Sequence, residues 1–458
     1  MAVRDDPAVP RAQGTVHLPP GPKGSQLLGS ALGFSRDWLG FLTACAREYG
    51  DLVFFRFFRT PVCLVNHPDL IEQVLVTRYQ DFVKSKDYRV LRNALGDGLL
   101  TSEGELWRER RRLMQPAFHR ERIAAFGSLM SDISGRMLEG WRDGVEIDLH
   151  REMSRLTLEV AAKAFFDADV SRNAAYVGAA LGVMIQQFVP QADLAFLLPD
   201  WAPLPVSRKF RRAVRRLDEI VYELIRRRRT DPAPRGDLLD LLLAARDESG
   251  DAMSDRQLRD EITTLFVAGH ETTALVICWT SMLLAQNPDC AARLAEELDA
   301  VLAGRAPTAE DISQLRYTEM VVKESLRLYP PAWGVGRQAL RRFEIGGYSL
   351  PAGTNLFLCQ WIVHRDPRFF PDPETFDPER WREDPQRTGA LARFAYFPFG
   401  GGPRVCIGAG FAMTEAVLIV AAIAQRFRMT VPPNQKIELL PSVTLRPKHG
   451  LRVRLARR

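Results

Sequence analysis

Residues 397–410, FPFGGGPRVCIGAG, bring an arginine and a cysteine into a glycine-rich loop just ahead of an apolar run that reads as a helix. Gly400, Gly401 and Gly402 permit a tight turn with close backbone approach. A cysteine there meets the amide donors and positive end of the following helix, which favours thiolate over thiol. Cys406 is therefore a candidate soft anionic ligand, the plain alternative being an inert buried hydrophobe. Arg404 is suited to bidentate binding of a carboxylate.

A second polar cluster interrupts an apolar stretch, TLFVAGHETTALVICW. The surrounding segment opens with Ser254 and Gln257 at capping-box spacing and stops at Pro288. It predicts a helix of about 30 residues, ~45 Å long. In its middle stand Gly269, which costs about 1 kcal/mol relative to alanine, and Glu271, a carboxylate that needs a partner if buried. The hydroxyl of Thr272 is placed to bond back to the carbonyl of Ala268, bending the helix and opening a groove at Gly269. The same residues also read as a polar stripe against a neighbouring helix. A third cluster, VVKESLRLYPP, sets Glu324 and Arg327 three residues apart on one helical face, and FDPERW offers Arg380 as a further partner.

The elements that must position these residues are mostly helical. Residues 30–60 read as a helix ending at Gly50 and two β-rich runs, DLVFFRFF and PVCLVN. From about 102 to 330 the pattern is helical, and short strand-like pieces return at 343–354 and 443–455. The fold class expected is mainly α with a small β-rich lobe: a mobile arm over 1–24, then a single large domain over 25–458. The arm is polar and rich in Pro and Gly, without the apolar segment of a signal or membrane anchor, so a cytoplasmic protein is expected. Six scattered cysteines fit neither a disulfide framework nor a metal-ligand spacing. The +6 charge is concentrated in arginine runs at 108–113 and 226–230, read as solvated helix faces; with no interleaved aromatics, a nucleic-acid partner is not expected.

Taken together, the chain resembles the cytochrome P450 superfamily of haem-thiolate monooxygenases over nearly its whole length. Phe399, Gly400, Gly402, Arg404, Cys406 and Gly408 match the cysteine-loop signature without a gap. Ala268, Gly269, Glu271 and Thr272 match the oxygen-activation motif, and Glu324, Arg327 and Arg380 the structural Glu-x-x-Arg triad. Trp107 and Arg111 match the Trp-x-x-x-Arg pattern; with Arg337 and Arg404 they resemble haem propionate contacts.

The resemblance implies a haem b cofactor with Cys406 as metal ligand and axial thiolate, a ligation that favours O–O cleavage. It implies that Thr272 and Glu271 deliver protons. The implied partners are dioxygen and electrons from NAD(P)H through a ferredoxin or flavodoxin with its reductase; the arginines at 108–112 are candidates for steering an acidic carrier. The substrate implied is a hydrophobic small molecule of the fatty acid, terpenoid, steroid or polyketide kind. Its contacts are expected in 82–101, 181–200, around Phe266 and Val267, and in 331–336 and 442–445. Lys84, Lys86 and Arg89 read either as a site for a substrate carboxylate or as an exposed loop. A peroxide-driven enzyme and a non-catalytic haem sensor are the alternatives, and neither needs the Glu271–Thr272 pair.

Overall fold

The aromatic and β-branched runs near the N-terminus form an antiparallel pair, Leu52–Phe57 with Thr60–Val65. Asn355–Leu358 joins the second of these in parallel, Val335–Ala339 pairs with that strand, and Phe82–Lys84 completes a five-stranded sheet. In this register Lys84 stands opposite Arg337, so two cations distant in sequence become neighbours. A three-stranded sheet at the other end joins Glu146–Asp148, Arg452–Arg457 and Phe427–Thr430. The computed structural model describes residues 17–168, 174–198, 202–231, 233–246 and 250–458.

Between the sheets lies a helical body around the helix Asp255–Gln286. Ser254 and Gln257 form the expected capping box. Pro288, which cannot continue this helix, starts the next, Pro288–Leu302, at the position where its missing N–H costs nothing. Leu149–Phe166, Arg208–Thr230, Arg316–Leu328 and Ala409–Arg426 pack against the central helix. One apolar core runs through all of them, from Ala94 to Leu455. The mainly helical architecture with a small β-rich lobe is thus as expected. Among the described residues two helices, Asp255–Gln286 and Ala409–Arg426, are long and apolar enough to cross a membrane; most of their apolar windows are buried within the fold.

Two expectations need correction. Residues 17–24, assigned above to the mobile arm, are tied down: the carbonyl of His17 accepts from Ser349 N, its ring stacks on Tyr348, and the Pro20 carbonyl accepts from Phe54 N. Residues 1–16 of the arm lie outside the described residues. The run at 226–230 is not uniformly solvated, because Arg228 is buried and bonds Asp237, Asp240 and the Phe166 carbonyl. In an arginine-rich helix the 3.6-residue period turns one arginine inward, where it survives only with partners.

Candidate functional site

The cysteine loop is shaped by its glycines. Gly400 and Gly402 have φ of +71° and +66°, and a Cβ on Gly402 would lie 1.9 Å from the Leu75 carbonyl oxygen. The loop closes with Cys406 N donating to Phe399 O at 3.0 Å, and Gly408 caps the helix Ala409–Arg426. Of the six cysteines, all free, only the exposed Cys406 presents its residue to open space; four are buried and Cys290 is half-buried. Desolvation by the protein around the loop pushes its thiol pKa up, opposed by the Gly408 amide and the charge of Arg111. The Gly408 amide and Arg111 thus act towards thiolate, the direction expected of a helix start. A metal bound there would deprotonate the thiol outright.

Beside the loop, cations outnumber anions. Arg404 forms a bidentate pair with Glu103, Nη1 donating at 3.0 Å, and its guanidinium lies 5.2 Å from the centre of the buried Trp107 ring. Arg111 donates to the Val405 carbonyl at 2.7 Å, directly beside Cys406. Arg337 is buried, with its pKa lowered by burial and by Arg404. Lys84 donates to the carbonyls of Leu99 and Ser102, and burial together with Arg404, Arg337 and Arg92 lowers its pKa to about 7. Lys84 is thus neither an exposed loop residue nor alone. The Arg404 Nε is buried without a hydrogen-bond partner. Donors in excess of carboxylates, next to a reachable sulfur, fit a ligand that carries both a soft-ligated metal and carboxylates. Haem b with its two propionates is such a group.

The central helix presents its polar step as the sequence implies. Thr272 Oγ1 donates to the Ala268 carbonyl at 2.7 Å and Thr273 Oγ1 to that of Gly269 at 3.3 Å. Ala268 is exposed, and Gly269 and Thr272 are half-buried, although the turns on both sides are buried. Glu271 faces another way: its Oε1 lies 3.4 Å from Arg446 Nη2 and 3.7 Å from His150 Nε2, with His270 4.0 Å from Oε2. Burial would raise its pKa, but His150 and Arg446 prevail and hold it at about 2. His150 and Arg446 have no motif around them and were not legible in the sequence. Glu415 was also missed; buried on the cysteine helix against Thr273, it is pushed well above the carboxylate range. Its signal was the one available for Glu271, a lone carboxylate in an apolar run.

Glu324 and Arg327 are completely buried and fully engaged. Arg327 bonds both oxygens of Glu324 and the carbonyls of His364, Pro373 and Thr375. Glu324 accepts in addition from Asp377 N, Arg380 Nε at 3.3 Å and Trp381 Nε1. His364, kept neutral by burial with a pKa of about 3, accepts from Phe397 N at the start of the cysteine loop. The triad thus anchors the loop.

An aromatic cavity of about 140 Å³ adjoins the cationic cluster through Ser85 and Gly336. Four of the five expected substrate segments contribute, through residues such as Tyr88, Phe196, Trp333 and Val443. Phe266 does not; it packs on Phe166 in the core. Residues 199–200 of the second segment lie outside the described residues. Unforeseen walls come from Phe34 and Trp38 on the N-terminal helices Ala31–Arg36 and Trp38–Tyr49 and from Phe57 on the first strand. Thr272 and Cys406 do not line this cavity, which is therefore distinct from the space between the cysteine loop and the polar step of the central helix.

The family model for Cytochrome P450 matches residues 19–453. The chain is a cytochrome P450. Among its relatives, cyclooctatin synthase of Streptomyces melanosporofaciens is 41% identical over 93% of this P450 and 92% of the relative. Cyclooctat-9-en-7-ol 5-monooxygenase of the same organism is 38% identical over 89% and 88%, and pentalenene oxygenase of Streptomyces avermitilis 34% identical over 94% and 96%. A solved cyanobacterial P450, CYP120A1 with retinoic acid bound, superposes with a TM-score of 0.85 at 30% identity, covering 97% of this P450 and 100% of that chain. The P450 is therefore a haem-dependent monooxygenase, an oxidoreductase of the family that the cysteine loop suggested.

Proposed function

We propose that this P450 hydroxylates a terpenoid in the cytoplasm, drawing two electrons from NAD(P)H through a ferredoxin or flavodoxin and its reductase. The observation that carries the reading is the agreement between relatives named for terpenoid oxidation and a cavity walled by aromatic side chains. Residues 25–458 act as one unit, in which the main core of the helical body is accompanied by smaller apolar clusters under the N-terminal sheet and helices.

Haem, when bound, supplies the chemistry that converts R–H, dioxygen, two protons and two electrons into R–OH and water. Cys406 would ligate the iron as thiolate. Arg111, Arg337 and Arg404, with Trp107 and Lys84, would hold the propionates, and Phe399 and Gly408 would frame the sulfur. Ala268 and Gly269 leave room for dioxygen. Thr272 donates its own proton to the Ala268 carbonyl and keeps its oxygen lone pairs available to hold water or a proton. Glu271, a carboxylate at rest, accepts a proton and passes it inward, while Arg446 and His150 hold it in place. Reconstitution with pentalenene and related terpene skeletons, a ferredoxin and its reductase tests the reading. An oxygenated product that appears only with NAD(P)H and dioxygen is expected. Equal turnover on hydrogen peroxide alone would assign the peroxide-driven class, and substrate binding without reductant consumption a sensor.

A further inference from the structure

The aromatic cavity contains two carboxyl groups that a hydrocarbon ligand would leave stranded. Asp87 accepts a hydrogen bond from Ser85 through one oxygen, and Asp193 has no side-chain partner among the described residues. Around them are rings of Trp38, Trp333 and Phe357, with Trp333 5.7 Å from Trp38 and 5.3 Å from Phe357 between centroids. The other polar walls are spoken for: Asn355 bonds Lys86 N and Gly353 O, and Ser442 bonds Thr444 O. Burial raises the pKa of both carboxyls, and each offers oxygen acceptors to the cavity. Arg337 acts on Asp87 from one side, with Lys84 and Arg404 beyond it, a field that opposes a cationic ligand.

Resting on the terpenoid hydroxylase reading above, we infer that this cavity holds the remote end of a substrate that already carries a hydroxyl group, with Asp87 and Asp193 as its hydrogen-bond partners. A hydroxyl can donate to such oxygens. Its hydrocarbon analogue would leave Asp193 without a partner and Asp87 with Ser85 alone, and a polar site discriminates most strongly against a ligand that leaves its polar groups unpaired. A substrate of this kind comes from an earlier oxygenation or from a cyclisation ended by water, so the enzyme acts after such a step.

The test is binding to the holoenzyme of matched pairs, cedrene with cedrol and ent-kaurene with ent-kaurenol. It is read both as the haem absorbance shift and as fluorescence of Trp38 and Trp333, a signal independent of turnover. The alcohols should bind at least tenfold tighter. Asp87→Ala combined with Asp193→Ala should reduce that preference to near unity with hydrocarbon affinity kept, and Asp87→Asn, which still hydrogen-bonds, should retain most of it. Equal affinity for both members of a pair overturns the inference but leaves the terpenoid reading intact, as does a preference that survives the double substitution. Tighter binding of 1-aminoadamantane than of 1-adamantanol overturns it in favour of an amine. No response to either terpenoid pair, in protein with a normal thiolate spectrum, overturns the terpenoid reading and the inference together.

Discussion

Single side chains carry the chemistry, and two of them make separable predictions. Cys406→Ser should abolish the strongly red-shifted Soret band of the reduced carbon monoxide complex, because a hydroxyl does not replace a thiolate. Thr272→Ala should leave substrate binding unchanged within about twofold while reducing equivalents escape as hydrogen peroxide; product formed per NAD(P)H consumed measures it. Glu271 has a consequence for stability. Its folded pKa of about 2 lies below the ordinary 4.5, so the unfolded chain binds more protons between those values. Its contribution is complete above about pH 4.5 and is lost as the pH falls towards 2. Glu271→Gln should therefore flatten the acid limb of a melting-temperature profile between about pH 4.5 and 2, and an unchanged slope there would contradict the pairing with His150 and Arg446.

At the level of elements, the cysteine loop depends on what fastens it. Removing Arg327 leaves Glu324 buried against Trp381 and Asp377 N without its main cation, a loss on the order of 3–5 kcal/mol. Arg327→Met should lower the unfolding free energy by that amount, read as a lower urea midpoint at unchanged slope, and release haem from the folded fraction, whereas Arg380→Met, at the rim of the same network, should cost far less. Gly402→Ala meets both a positive φ and the Leu75 backbone. Its loop should shift, which the carbon monoxide spectrum would register as a fraction lacking the thiolate band.

For the whole molecule, tertiary burial alters which charges remain available to a partner. Of the arginines at 108–112, Arg110 is buried against Glu261 at 3.4 Å and Arg111 is committed to Val405. Arg108 and Arg112 stay exposed. Arg108 pairs with Glu105, so any steering of an acidic electron carrier by this face would draw on two exposed cations that already have neighbours. Arg108→Glu with Arg112→Glu should slow reduction several-fold at low salt, with the difference vanishing at high ionic strength. A rate indifferent to both would remove this face from consideration.

The chain alone determined the helix from Asp255 to Gln286, the glycine loop around Cys406 and the Glu324–Arg327 pair, since each is written in short-range spacing: a capping box, a run of glycines, a three-residue interval. Those local rules act before any distant segment arrives. Folding decided the rest. It set Lys84 opposite Arg337, turned Glu271 towards His150 and Arg446, brought the N-terminal helices and first strand to the wall of the aromatic cavity, and buried Phe266 and Arg228 where composition offered a pocket wall and a solvated face. These outcomes join residues tens to hundreds of positions apart, and no periodicity encodes such a meeting. Burial then changes what each residue can do, because the cost of an unpaired charge depends on the neighbours that the fold supplies.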